Sequence, residues 1–474
     1  MHSRKFKLLL INPISRYRKG FIINRSTQFE PIGLAIIAAL TPANWDVEIL
    51  DENFETFSYK PADFVGLTAF TSTAPRAYEI AKEYRARGIP TVIGGVHATM
   101  LPDEAGQYVN TVVTGEAESI WHQVISDFEE DKLKKRYHGE FIDMKYTPIP
   151  RRDLINPNYV HASVMTTRGC PMDCDFCSVS AFNGTKFRMR PVENILAELE
   201  QIPKKRIFFI DDNMIGFSHQ SIEHAKELFR GMIERKLNKE WFTQLSLNYG
   251  NDPELVRLAA KSGCRLVLIG IESDKEKILQ DINKTLNLKI GIGNYGKYFR
   301  RVHHEGISII GTFIFGMDDD TPDDMMNRAR FIMRSGLDTV QATILTPLPG
   351  TRLYDRIAKE NRLLYANYPD DWTYYNEYCV TIKPRNMPVE TLSLTMTRVW
   401  KKIYSKNNIR WKFIMTFLRC WNLNLYKWAS RGLNAALWAY FTNWNYKRIV
   451  EQYYNKQEIG QRKMSPVIFF RKRA

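Results

Sequence analysis

Residues 162–180, ASVMTTRGCPMDCDFCSVS, run from a short apolar stretch into a loop that holds three of the chain's six cysteines. A brief apolar run closed by Arg-Gly reads as a buried strand. Cys170, Cys174 and Cys177 therefore stand just past a strand's carboxyl end, where α/β sheets and barrels build their sites. A structural zinc site wants four ligands, commonly a second Cys-x-x-Cys or a histidine pair. The next cysteine, Cys264, is far downstream, His161 precedes the strand, and no histidine pair follows the motif. Zinc fits this poorly. A three-thiolate iron–sulfur cluster suits both the spacing and the location, and leaves one iron without a protein ligand.

Outward from this loop the chain alternates strand and helix patterns. ASVMTTRG, RIFFIDD, FTQLSLN, RLVLIGIES, ISIIGTFIFG and TVQATILTPLPG read as six strands, most of them separated by helical stretches such as PVENILAELEQI and DPELVRLAAKSG. Six such repeats predict a partial (β/α)6 barrel of the TIM kind over residues 155–365, with chemistry at the strand carboxyl ends. Upstream, KLLLINP, DVEILD, DFVGLTAFTS, PTVIGG and VNTVVTGE alternate with PIGLAIIAAL, APRAYEIAKEYRARG and AESIWHQVISDF. This predicts an α/β, doubly wound, flavodoxin-like domain over residues 1–140. A polar, proline-bearing stretch near 130–158 reads as a linker. After about residue 365 the alternation stops, and residues 366–474 read as a mainly helical, basic and aromatic region.

Composition narrows the class. The 474 residues are 44% hydrophobic and 25% charged, which suits two or three globular domains with real cores. No leader pattern opens the chain, and no apolar run reaches the ~20 residues of a membrane span. Six cysteines are no disulfide framework, so a reducing, cytoplasmic compartment is expected. The net charge of +15 is uneven: residues 401–474 hold 16 Lys/Arg against 2 Asp/Glu, a balance of +14. Five of the ten tryptophans lie there too.

Cys-x3-Cys-x2-Cys with Phe176 before the last cysteine resembles the radical S-adenosylmethionine (SAM) superfamily. The resemblance spans roughly residues 160–360 and implies a [4Fe-4S] cluster on Cys170, Cys174 and Cys177, whose open iron chelates SAM. It also implies reductive SAM cleavage to a 5′-deoxyadenosyl radical, with Phe176 beside the adenine. FIDDNMIG then offers Asp211 and Asp212 to the SAM ammonium, although a polar cap of the next helix explains Asp211 equally. LIGIES offers Glu272 and Ser273, the serine again open to a capping role. GTFIFGMDDDT offers Gly311 and Gly316 as points of close backbone approach. Gln244 lies on the third strand without an assigned contact.

The amino-terminal series PIGL, DFVGLTAFTST, VIGGVHATMLPDEA and VVTGEAE resembles the cobalamin-binding domain of B12-dependent radical SAM enzymes. The resemblance implies that Thr68, Ser72, Gly94, Gly95, His97, Gly115 and Glu116 border cobalamin. No Asp-x-His-x-x-Gly motif occurs, so cobalamin is expected without a histidine ligand, its lower ligand unknown. The implied reaction is methylation of an unactivated carbon: one SAM supplies the methyl group through cobalamin and a second supplies the radical. A radical cyclisation or carbon–carbon coupling on a lipid or other secondary metabolite is the alternative enzyme reading. A non-catalytic electron-transfer or scaffold protein is the alternative class. Expected partners are a small-molecule substrate, lipid included, and an electron donor such as flavodoxin or ferredoxin. The tail reads as a helical cap on the open barrel; peripheral membrane contact through RWKFIMTFLRCWNLNLYKW comes second. Nucleic acid ranks last, because no cysteine precedes Cys170.

Overall fold

The computed structural model describes residues 5–22, 24–421 and 425–468. Residues 1–4, 422–424 and 469–474, parts of the amino-terminal leader and tail readings, lie outside them.

Two parallel sheets carry the chain. In the first, β1 (Lys7–Asn12), β2 (Asp46–Asp51), β3 (Phe64–Thr68), β4 (Thr91–Gly94), β5 (Thr111–Gly115) and β6 (Arg136–Gly139) take the order β2-β1-β3-β4-β5-β6. The order reverses between β1 and β3, the switch point of a flavodoxin-like sheet. Leu8 to Ile11 are at most 2% exposed, because helices cover both faces. The strand β6 corrects the expectation of a linker across 130–158. RYHG alternates exposed and buried positions, as a polar edge strand does, and carries no apolar run to reveal it.

The second sheet contains β7 (Ala162–Val164), β10 (Arg206–Phe209), β11 (Glu240–Leu245), β12 (Cys264–Glu272), β13 (Ser308–Phe315) and β14 (Thr339–Ile344) in the order β14-β13-β12-β11-β10-β7. These are the six expected strands, in sequence order around an open barrel. ASVMTTRG is split: after Val164 the chain leaves the sheet, and β8 (Thr167–Arg168) pairs antiparallel with β9 (Arg188–Met189). That departure throws the cysteine loop across the barrel mouth.

The carboxyl-terminal helices close the other end. Ser308 Oγ and Thr339 Oγ1 donate to the carbonyls of Ala435 and Ala439, while Asn443 Nδ2 donates to Asp338 O. Helix Leu425–Ile468 thus lies against the amino ends of β13 and β14, with Ala435, Ala436 and Ala439 fully buried. Asp338 is the central acceptor of this floor. It takes hydrogen bonds from His303 Nε2 (2.7 Å), Ile309 N (2.8 Å) and Thr416 Oγ1 (2.7 Å).

Lys412 enters the same floor and donates to the Ile332 and Leu337 carbonyls at only 3% exposure. Burial, then the neighbouring Arg419, pulls its pKa from 10.5 down to about 7. Below that value the lysine is charged in both folded and unfolded chains, and the burial cost is fully present. Above it the folded chain holds fewer protons than the unfolded one, so stability rises with pH until the unfolded lysine also titrates. The melting temperature is expected to rise between about pH 7 and pH 10. Lys412→Met should flatten that rise in parallel pH scans; an unchanged slope would contradict this.

Candidate active site

The barrel mouth encloses a cavity of about 290 Å³. Cys170, Cys174, Phe176 and Cys177 border it, as do Asp212, Asn213, Gln244 and Ser246 from the ends of β10 and β11. Glu272, Lys284, Thr312, Ile314, Gln341 and Glu377 complete the part that bears on chemistry. Burial raises all three thiols, Cys177 up to about 12. Opposing it, the ammonium of Lys284 favours the thiolate at each one, and backbone N–H groups of Met172 and Val179 point at Cys170 and Cys177.

Asp211 explains how the loop is aimed. It is 1% exposed and accepts from Thr166 N (2.6 Å), Thr166 Oγ1 (2.6 Å) and Thr167 N (2.8 Å). Burial lifts its pKa to about 7 against those hydrogen bonds. Asp211 does not border the cavity; it fixes the strand that leads to Cys170. On the outer side Arg352 donates to Asp173 Oδ1 (2.7 Å) and Asp175 Oδ1 (2.6 Å), holding the residues between the cysteines.

Glu272 reaches the cavity because β12 bulges between Gly270 and Glu272. The bulge gives Glu272 a φ of +65°, an uncommon conformation for a residue with a Cβ. Its carboxylate accepts from Lys284 Nζ at 2.8 Å and Thr312 Oγ1 at 3.1 Å. A Cβ at position 270 would stand 2.5 Å from Glu272 Oε1 and 2.7 Å from Lys284 Nζ, so only glycine leaves room for the pair.

Three other expected contacts are corrected. Ser273 is fully buried beneath the bulge and accepts from Arg328 Nη2 at 3.2 Å. The α-carbon of Gly311 faces Leu337, whose methyl a Cβ would meet at 2.5 Å. Gly316 turns the chain at φ +80° with its N–H on Asp320 and its α-carbon against Leu392. These residues shape the strand ends from behind.

Lys284 and Glu377 escape sequence reading. Lys284 lies outside every strand motif, in a segment following a short helix. Glu377 lies in the irregular stretch after the barrel, has a φ of +67°, and its carbonyl accepts from the N–H of Ile344 at 2.7 Å. Burial, then the nearby Glu272 carboxylate, raises its pKa. No local pattern marks either residue.

The first sheet presents its carboxyl ends to the same mouth. The helix Val96–Met100 after β4 touches the helix Ser178–Asn183 after the last cysteine. Arg168, two residues before Cys170, pairs with Glu116 (3.1 Å) and Glu118 at the end of β5. Thr68, Ser72, Gly94, Gly95 and Gly115 gather at this edge, and Phe70 stands 67% exposed among them. Gly95 lies so close to β3 that a Cβ would meet Thr68 Oγ1 at 2.8 Å. Two expected contacts take other roles. Glu116 is buried and committed to Arg168, Arg188 and the N–H of Ile142. His97 is fully buried, its Nε2 3.2 Å from Glu104, whose carboxylate also accepts from Trp372 Nε1.

Comparison with known proteins agrees with this arrangement. The B12 binding domain family matches residues 18–125, and the Radical SAM superfamily matches residues 164–332. The bacteriochlorophyllide d C-12(1)-methyltransferase of Chlorobaculum tepidum is 32% identical, over 86% of this chain and 89% of its own. The chain belongs to the B12-binding radical SAM methyltransferase family. The hopanoid C-2 methylase of Rhodopseudomonas palustris is a further relative, 25% identical over 71% of this chain and 65% of its own. The radical SAM methyltransferase TsrM of Kitasatospora setae, solved with cobalamin and a [4Fe-4S] cluster, shares the fold. Its TM-score is 0.67 at 17% identity, covering 92% of this chain and 99% of that one.

The cofactors of this B12-binding radical SAM family are a [4Fe-4S] cluster, SAM and cobalamin. The residues present fit each. Among the described residues no His, Cys, Asp or Glu group is arranged for a single metal ion. The three thiols instead share one cavity wall with a cation beside them, as a cluster of several irons needs. The remaining lining mixes carboxylate, amide and hydroxyl groups with Leu268, Ile314 and Leu345, which suits a charged nucleoside such as SAM. At the first sheet, exposed Phe70 beside half-exposed Thr68 and Ser72 offers apolar and polar contacts to a large corrin edge.

Proposed function

We propose that the chain methylates an unactivated alkyl carbon of a large, mainly apolar molecule of the chlorophyllide or hopanoid kind. The observation that carries this is the shared mouth: the cysteine loop and the carboxyl ends of the first sheet meet across Arg168 and the Val96–Met100 helix. When bound, the cluster and SAM supply a hydrogen-abstracting radical, and cobalamin supplies the methyl group.

Cys170, Cys174 and Cys177 would hold iron. Phe176 would lie against the adenine, while Asp212 and Glu272 would take SAM's polar groups. Lys284, 2.8 Å from Glu272, holds that carboxylate in its orientation. Thr68, Ser72 and Gly94 would border cobalamin, with Phe70 under its apolar edge. Glu377 and Gln341, which line the same cavity, would meet the substrate. Leu345, Leu348 and Ile344 line the cavity too, and would exclude water from a carbon radical.

Glu272→Gln should weaken SAM binding by roughly ten- to a hundredfold, the loss of one charge-assisted hydrogen bond. Equilibrium binding of SAM to the cluster-loaded protein reads this directly, and unchanged affinity would remove Glu272 from the SAM site. The substrate class is tested by anaerobic turnover with a bacteriochlorophyllide and with a hopanoid in parallel. A methylated product from either supports the proposal. No product from either, while SAM is still cleaved, would overturn the substrate assignment.

A further inference from the structure

The carboxyl-terminal helices leave a large apolar surface uncovered. Helix Lys406–Arg419 and helix Leu425–Ile468 run antiparallel, with Phe413 against Tyr440 and Trp428 Nε1 donating to Phe417 O. Their inner faces pack on the barrel floor through Ile409, Thr416, Ala435 and Ala439. Their outer faces carry Trp411 (55% exposed), Ile414 and Leu418 on one helix and Leu433, Leu437 and Phe441 (61%) on the other. The three- and four-residue spacings set each group in one stripe, and the stripes lie side by side. Trp421, just past the end of the first helix, and Leu425, at the start of the second, add to the surface at 52% and 63% exposure. A globular protein rarely leaves so many large apolar side chains contiguous without a partner.

The rim of this surface is cationic. Helix Tyr295–His304 packs on helix Lys406–Arg419 and presents exposed Lys297 and Arg300. Arg334, at the end of the neighbouring helix Pro322–Arg334, and Arg410, beside Trp411, are exposed as well. None of these four has an ion-pair partner among the described residues. Glu305 is the acid nearby, and Arg431 lies 3.6 Å from it. A second copy docking by a two-fold axis would set these cations against one another, which disfavours self-association.

We propose that this hairpin face seats the protein on an anionic lipid bilayer, with the stripe residues at the acyl boundary and the cations among phosphate headgroups. Tryptophan and lysine or arginine together suit that depth, and no helix among the described residues is long and apolar enough to cross a membrane. The face lies at the barrel floor, away from the cysteine loop, so docking leaves the catalytic mouth uncovered. The inference is independent of the substrate proposed above.

Sedimentation of the full chain with phosphatidylcholine vesicles, with and without phosphatidylglycerol, tests it. The chain should pellet with the anionic vesicles and release as salt rises. Trp411→Ser/Leu418→Ser/Phe441→Ser should lower partitioning by about tenfold or more, while the thermal midpoint and SAM cleavage in solution stay as in the parent. Lys297→Glu/Arg300→Glu should lose the preference for anionic vesicles. Failure to pellet at low salt, or pelleting unchanged in the triple variant, would overturn the proposal. So would a parent dimer in light scattering that the triple variant makes monomeric, since a second copy would then occupy the face.

Discussion

Cys174→Ala yields a folded protein that takes up no stable [4Fe-4S] cluster and forms 5′-deoxyadenosine only at background level. Cys174 is 6% exposed at the cavity wall, and its backbone carbonyl accepts from Cys177 N at 3.2 Å. The variant keeps that backbone and the Arg352 clamp on Asp173 and Asp175, which no thiol supports. Removing one sulfur from a buried loop costs about 1 kcal/mol of stability, so the loss falls on metal uptake. Three thiols would be the whole protein contribution to the cluster, and two would leave it open to solvent and exchange. Iron and sulfide analysis after anaerobic reconstitution, with the ultraviolet spectrum, reads the effect. A variant with a full complement of iron and sulfide would remove Cys174 from the ligand set.

Arg328→Met should be the most damaging substitution away from the cavity. Arg328 and Asp320 are both fully buried. The guanidinium donates to Asp320 Oδ1 at 2.7 Å and Oδ2 at 2.8 Å, to Ile314 O at 3.0 Å and to Ser273 Oγ at 3.2 Å. Asp320 in turn accepts from the N–H groups of Gly316 and Met317. One side chain thus ties the turns after β12 and β13 together, directly beneath the Glu272 bulge. Methionine leaves the Asp320 carboxylate buried without its cation, a loss of about 3–5 kcal/mol. The urea midpoint should fall accordingly, and SAM affinity should fall with it as the bulge loosens. Arg328→Met/Asp320→Asn should recover part of the midpoint. An unchanged midpoint in the single variant would show that the pair is not fully desolvated.

The elements that sequence revealed are those whose signal is contiguous. Strands β1, β3, β12 and β13 are apolar runs, and the cysteine loop declares itself within eight positions. The fold and the position of the three-cysteine loop are therefore legible in the sequence. Strand β6 was not, because an edge strand with polar alternate positions lacks the apolar run that marks a buried one. Asp211, Ser273, Gly311 and Gly316 were legible as strand-end residues, but period alone does not tell which side of a strand's end faces the cavity. The β12 bulge decides this: it turns Glu272 inward and Ser273 beneath. Glu377 and Lys284 come to the cavity from segments without periodicity, and only tertiary packing brings them there. The tail packs on the barrel floor, and which of its faces stays uncovered depends on the pairing of its two helices.

The central claim is methyl transfer by a radical route that uses both halves of the chain. Anaerobic turnover of the cluster- and cobalamin-loaded protein with SAM, reductant and substrate tests it most directly, with S-adenosylhomocysteine and 5′-deoxyadenosine measured together. The account predicts both products, rising in step, with S-adenosylhomocysteine lost when cobalamin is omitted. 5′-Deoxyadenosine alone, at the same rate with and without cobalamin, would contradict it.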